Sequence, residues 1–227
     1  MPETPTALED GSLALLRRAI ETDHTGRIAL VSSFGTESAV LLHLIARIDR
    51  RLPVIFLDTG KLFPDTIAYR NALITRLRLT DVRSIRPDPR HLADLDPDGT
   101  LFARDPDLCC AIRKTMPLDT ALEGFDAWIS GRKRGQTETR ATIAASETGP
   151  DGRIVINPLR DWARADIEAY FATHDLPRHP LESDGFASIG CFSCTRRINP
   201  GEDPRAGRWS GTGKTECGIF LARPVAA

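Results

Sequence analysis

The sequence lacks any apolar run near the ~20 residues that a membrane-spanning helix needs. Its opening, Met-Pro-Glu-Thr-Pro-Thr, also lacks the basic and apolar regions of a signal peptide. No membrane partner is expected, and the cytoplasm is the expected compartment. A dominant charge sign is missing too. Thirty Lys and Arg face 31 Asp and Glu, for a formal net charge of −1. That balance gives no reason to expect nucleic acid as a partner. His24, His43, His91, His174 and His179 show no metal-ligand spacing. Neither a Walker A loop nor Gly-x-Gly-x-x-Gly occurs, and no internal repeat or low-complexity stretch stands out.

What is present is an unusual set of cysteines. Cys109 and Cys110 are adjacent, Cys191 and Cys194 form a Cys-x-x-Cys, and Cys217 stands alone in Lys-Thr-Glu-Cys-Gly. Structural disulfides are not expected in a cytoplasmic protein. Two close pairs of thiols suit a metal ion or an iron–sulfur cluster, with tetrahedral zinc as the simpler alternative. A separate thiol suits a nucleophile or redox centre, although a lone cysteine is more often a spectator.

The chain alternates between strand and helix patterns. Apolar runs at Ile28–Val31 and Val54–Leu57 read as buried strands, and Val82–Ile85, Trp128–Ile129 and Ile154–Ile156 are further strand candidates. Helical spacing is expected from Ser12, as N-cap, to about Thr22, then over Glu37–Ile48, from Pro64 through Leu77, and over Trp162–Thr173. Continuous apolar strands separated by helices predict a parallel sheet covered on both faces. With 227 residues, the chain can form one domain with an appendage. The expected division is an α/β nucleotide-binding domain over residues 1–190, holding the first cysteine pair. Residues 191–227 would then form a mobile C-terminal tail carrying the second pair and Cys217.

Two strand ends look like ligand-binding turns. Ser32-Ser33-Phe34-Gly35-Thr36-Glu37-Ser38 joins a strand to a helix start, where backbone N–H groups and the helix dipole favour an anion. An ordinary capped loop explains the same residues equally well. Leu57-Asp58-Thr59-Gly60 ends the second strand, beside the first turn in a doubly wound sheet, but would also serve as a plain turn. Arg132, Lys133, Arg134 and Arg140 oppose only Glu138 within one short segment, and the C-terminal segment is also locally basic. These are either solvated faces or an anion site built from Arg forks.

Ser-Ser-Phe-Gly-Thr-Glu-Ser, Leu-Asp-Thr-Gly-Lys-Leu-Phe-Pro-Asp-Thr, Cys-Cys-Ala-Ile-Arg-Lys, Gly-Cys-Phe-Ser-Cys-Thr and the C-terminal Arg-Ala-Gly-Arg-Trp-Ser-Gly-Thr-Gly-Lys-Thr-Glu-Cys-Gly stand together in this chain. Together they resemble the assimilatory sulfonucleotide reductases, specifically the adenylylsulfate (APS) branch. The resemblance runs from about Val31 to Gly218. It implies a doubly wound, mostly parallel α/β sheet of the adenine-nucleotide hydrolase type with a loop-rich C-terminal tail. It also implies a [4Fe-4S] cluster on Cys109, Cys110, Cys191 and Cys194, and a nucleophile at Cys217. Lys114 matches a lysine between cluster and substrate. Arg113, Arg205 and Arg208 match basic residues around the phosphosulfate. Ser32, Ser33, Gly35, Thr36, Glu37 and Ser38 match the phosphate loop, with Leu57, Asp58, Thr59 and Gly60 beside it. Gly131, Arg132 and Arg140 match a second substrate-lining segment. The family commonly has His where this chain has Phe220, which puts the docking of the tail in question.

The chemistry stands apart from the resemblance. A sulfonucleotide offers an electrophilic sulfur and AMP as leaving group, and a thiolate is a suitable soft nucleophile. If four cysteines hold a cluster, the thiol that resolves the resulting S-sulfocysteine comes from outside, most simply from thioredoxin or glutaredoxin. Adjacent cysteines are an awkward chelate, so a strained backbone is expected there. The 3′-phosphorylated analogue (PAPS) is the alternative substrate. An ATP-pyrophosphatase-type tRNA thiolase is a further rival, against which Phe34 and Glu37 argue. The sequence is compatible with a homo-oligomer.

Overall fold

The computed structural model describes residues 5–149, 151–212, 214 and 216–220. Gly213, Thr215 and Arg223, which belong to the basic C-terminal segment, lie outside them.

In chain order the elements are α1 (Pro5–Arg17), continued by a π-helical stretch Arg18–Asp23, then β1 (Ile28–Val31), α2 (Ser38–Ala46), β2 (Val54–Leu57), α3 (Pro64–Leu77) and β3 (Val82–Ile85). Four short helices follow, α4 (Pro89–Leu95), α5 (Leu101–Arg104), α6 (Pro106–Cys110) and α7 (Met116–Ala121), the last two joined by a π-helical turn Ala111–Thr115. After these come β4 (Ala127–Ile129), β5 (Ser146–Thr148), β6 (Ile154–Ile156), α8 (Arg164–Thr173) and α9 (Pro180–Ser183).

The six strands form one sheet in the order β3-β2-β1-β4-β6-β5. All pairings are parallel except β5 with β6. β1 pairs Leu30 with Val54 of β2 on one side and Ala29 with Trp128 of β4 on the other. The chain leaves β1 in one direction and returns to its other side, so the topological switch lies between β1 and β4. Ligands of open α/β sheets bind outside the carboxyl ends of the strands at that point.

β1, β2 and β4 read as unbroken apolar runs because helices bury both of their faces. On one face Leu16, Leu42, Leu44, Ile45, Phe56 and Phe171 belong to a core shared by α1, α2, α3 and α8. On the other, Ala29, Ile55, Trp128 and Val155 pack with Leu118 of α7 and with Leu122, the residue that caps it, and Ile219 and Phe220 complete that cluster. Residues next to Cys217 therefore contribute to the core.

Ser12 is not the N-cap it resembles. The helix begins at Pro5, and Ser12 sits inside it, donating to the Pro158 carbonyl at 2.7 Å and accepting from Trp162 Nε1 at 3.0 Å. Its hydroxyl joins α1 to the segment before α8.

Candidate active site

The turn after β1 is anchored by Phe34. Its ring is fully buried and meets Phe56 edge-on at 5.4 Å. Its φ of 49° lies in the left-handed region, uncommon for an aromatic residue. The Ser32 hydroxyl accepts from the Phe34 N–H at 3.2 Å and supports this geometry. Phe34 turned inward leaves Ser33, Gly35, Thr36, Glu37 and Ser38 to line a cavity of about 410 Å³ at the start of α2. The strained position sits at the switch point, where stored backbone strain and function tend to coincide.

The same cavity is lined by Ser32, Leu57 and Thr59, by Gly131, Arg132, Lys133 and Arg140 beyond β4, and by Lys114, Arg205, Arg208, Trp209 and Cys217. Its cations crowd one another. Burial, and then the charges of Arg140 and Arg208, push the Arg205 pKa down to about 10. Burial also lowers Arg208, against the opposing pull of the Cys217, Cys191, Cys194 and Cys110 sulfurs. Arg132 is lowered by burial too, although it pairs with Glu147. Guanidinium groups brought this close together favour an anion with several oxygens. Lys133 is 5% exposed and pairs with Glu37 at 2.7 Å, tying the β4 loop to the turn.

The cysteines converge behind these cations. Cys109 and Cys110 end α6, after an Asp105 cap that accepts from the Leu108 N–H at 2.9 Å. Cys191 is bridged to Leu62, and the Phe192 N–H donates to the Lys61 carbonyl at 2.8 Å. This brings the second pair to the loop after β2. Cys109, Cys110 and Cys191 are buried, Cys194 and Cys217 half-buried, and all five are free thiols. Burial pushes the Cys109 thiol up, Arg113 opposes the rise, and the Cys191 and Cys194 sulfurs add to it. Burial pushes the Cys110 pKa up to about 11, with Lys114 opposing and Cys217 adding to the rise. Lys114 is held above its usual range: burial works against its charge, but Cys191, Cys217 and Cys110 outweigh it. Among the described residues, no three His, Cys, Asp or Glu side chains gather tightly enough to hold a single metal ion.

The backbone strain expected at the adjacent cysteines is absent. Cys110 has ordinary helical angles, φ −67° and ψ −35°. The irregularity comes one residue later, in the π-helical turn that carries Arg113 and Lys114. Such turns inside helices often mark functional sites.

Residues 27–197 match the model of the phosphoadenosine phosphosulfate reductase domain. The chain belongs to that family. It is 49% identical over 210 residues to the adenosine 5′-phosphosulfate reductase of Mesorhizobium japonicum, covering 92% of this chain and 82% of that one. It is 37% identical over 201 residues to the phosphoadenosine 5′-phosphosulfate reductase of Gloeobacter violaceus, covering 85% and 82%. The crystal structure of phosphoadenylyl-sulfate reductase from Candida auris, a phosphate complex, superposes with a TM-score of 0.71 at 24% identity, covering 86% of this chain and 99% of that one. At that identity the likeness supports the fold.

Of the residues assigned from the sequence to the substrate and the nucleophile, all but three line this cavity, and the four paired cysteines lie outside its lining. Asp58 accepts from the Gly60 N–H at 3.2 Å and pairs with Arg86 at 3.1 Å. Neither Asp58 nor Gly60 is among the cavity-lining residues. Arg113 is also absent from the cavity lining. Its guanidinium is bound to Asp96 at 2.5 Å and donates to the Thr59 carbonyl at 2.8 Å. It braces the loop after β2 from outside the cavity. Lys133 and Glu216 went unassigned in the sequence. Lys133 was one charge in a basic run, and Glu216 meets Arg140, a partner 76 residues away.

Proposed function

We propose that this protein reduces adenosine 5′-phosphosulfate to sulfite and AMP, in the cytoplasm, with a dithiol donor of the thioredoxin or glutaredoxin class. One observation carries the reading: Cys217 lines the same cavity as the β1 turn and the Arg205–Arg208 cation cluster. A thiol, a nucleotide-type turn and a multi-oxygen anion site are the three parts that attack on a sulfonucleotide requires.

In this reading the turn Ser32–Ser38 holds the nucleotide, with Leu57, Thr59 and Gly131 beside it. Arg132, Arg205 and Arg208 neutralise the phosphosulfate. The Cys217 thiolate attacks the sulfate sulfur. A sulfur–sulfur bond forms, the sulfur–oxygen bond to the phosphate breaks, and AMP leaves with the electron pair. The product is Cys217 S-sulfonate. A donor thiolate then attacks the Cys217 sulfur and expels sulfite with the bonding pair. The donor's second thiol resolves the mixed disulfide, so the donor is oxidised and Cys217 is restored. The segment carrying Cys217 acts as the moving part, opening to present the adduct to the donor.

Cys109, Cys110, Cys191 and Cys194 would hold a [4Fe-4S] cluster. Four free thiols that share one charge environment suit it. Tetrahedral zinc is the alternative occupant of four thiols. When bound, the cluster supplies a compact anionic centre beside Lys114. Lys114 itself lies between the thiols and the cavity and keeps its charge there.

PAPS is the rival substrate, favoured by the likeness to the Gloeobacter protein. Anaerobically purified protein should contain iron and acid-labile sulfide, and its kcat/KM for APS should exceed that for PAPS. A clear PAPS preference would reverse the substrate assignment, and full activity with zinc and no iron would remove the cluster.

A further inference from the structure

Glu216 directly precedes Cys217 and is 7% exposed. Its carboxylate accepts from Arg140 Nε and Nη2, each at 2.7 Å, in a bidentate fork. The Thr137 and Thr139 hydroxyls donate to the same carboxylate at 3.0 and 3.3 Å. The remaining Arg140 nitrogen, Nη1, donates to Gln136 Oε1. Arg140 touches the cavity, yet all three of its nitrogens are engaged by this C-terminal segment and by Gln136. That is an arrangement for holding a chain segment, with a carboxylate in the place of a ligand anion.

A second anchor lies three residues beyond the thiol. The Phe220 ring stacks on Trp128 with centroids 5.3 Å apart and planes 28° apart. The Arg132 guanidinium lies 4.1 Å from the Phe220 centroid. The Phe220 N–H donates to the Cys217 carbonyl at 3.3 Å, closing the turn between the anchors. Gly218 lies beside Thr115, where a Cβ would meet the hydroxyl at an ordinary contact distance of 3.4 Å. The thiol is thus bracketed by an ion pair before it and an aromatic stack after it.

We infer that Glu216 is a positioning residue, which through the Arg140 fork sets the Cys217 thiol against the cavity, with Phe220 as the second anchor. The inference rests on the reading of Cys217 as nucleophile for its kinetic consequence, but not for its structural one. A truncated Glu216 leaves Arg140 buried without its carboxylate partner, an unfavourable state that relaxes if the segment lifts away. Misplacing a reacting group by about 1 Å costs up to ~100-fold in rate. Phe220 alone should hold the segment less firmly, because stacking lacks the directionality of a bidentate pair.

The test uses the cluster-loaded full chain and two readouts. The first is the rate at which iodoacetamide alkylates Cys217, followed by peptide mass spectrometry. The second is AMP release in a single turnover with APS, with APS affinity measured alongside. Glu216→Ala should speed alkylation of Cys217 and slow AMP release by about 100-fold, with APS affinity little changed. Glu216→Asp should recover part of both, and Phe220→Ala should fall between Glu216→Ala and the wild type. Unchanged alkylation in Glu216→Ala would overturn the positioning role, as would a loss confined to APS affinity. Absence of AMP release from the wild type would instead count against the reductase reading, and the alkylation result would still decide the docking.

Discussion

At the scale of single residues, the site depends on close approaches that tolerate little added volume. Gly190 is the clearest case. A Cβ there would lie 2.3 Å from Arg208 Nη2 and 2.6 Å from its Cζ. The Arg208 guanidinium, held by the Ile189 carbonyl at 2.9 Å, would have to swing away. Gly190→Ala should therefore mimic Arg208→Ala. Each should lose a charge-assisted contact worth ~1.5–3 kcal/mol of transition-state binding, or about 10- to 100-fold in kcat/KM. Steady-state kinetics with APS on both variants and on the double variant checks this. If Gly190→Ala keeps wild-type kcat/KM while Arg208→Ala does not, the packing argument fails. If both keep it, Arg208 makes no contact that the transition state uses. Gly207 shows the same logic in the backbone. A Cβ there would lie 2.3 Å from the Arg196 carbonyl oxygen, so only its absence lets Thr195 and Arg208 bridge.

At the scale of elements, the strands and longer helices were legible, and the connections were not. β1, β2 and β6 occupy apolar stretches read from the sequence, and α3 starts at Pro64 as expected, because burial and proline at the first turn are local signals, while β3 falls where expected as an edge strand with exposed Arg83 and Ser84. β5 escaped notice: Ser146–Thr148 is a partly exposed edge strand with no apolar run. The short helices α4 to α7 have too few turns to show a period. Arg113 illustrates the remaining gap. Its motif suggested a substrate contact, and only the fold brings Asp96 to it. Breaking that buried pair with Arg113→Met should cost about 3–5 kcal/mol of stability, because Asp96 is left buried and charged. Arg113→Met/Asp96→Leu should regain much of that stability, together with the activity lost through the loosened loop. Thermal unfolding and kcat/KM measured in parallel decide it. A stable double variant that stays inactive would return Arg113 to the substrate.

At the scale of the whole molecule, the topology assembles the site. The chain crosses from β3 back to β4 beside β1, which brings the β1 turn and the Gly131–Arg132 loop face to face across the switch point. The cysteine pairs arrive from opposite directions, one on α6 and one pinned to the loop after β2. Their convergence was readable only from the motifs together, since each pair alone has commoner explanations. The C-terminal segment then closes the cavity, with Ile219 and Phe220 in the second core cluster and Cys217 in the wall. The position that raised a question in the sequence, Phe220, has a packing answer: an aromatic ring serves where Trp128 and Arg132 offer a flat apolar face and a cation.

The central claim is that Cys217 takes the sulfonate from APS before any external thiol acts. It is tested most directly by mixing cluster-loaded protein with APS in the absence of a thiol donor, measuring AMP, and mapping the adduct by peptide mass spectrometry. The account predicts a burst of about one AMP per active site and a sulfonate on the peptide containing Cys217. It predicts neither in Cys217→Ser, which should keep its fold, its iron and its affinity for APS. An adduct on another cysteine, or turnover by Cys217→Ser at the wild-type rate, would contradict it.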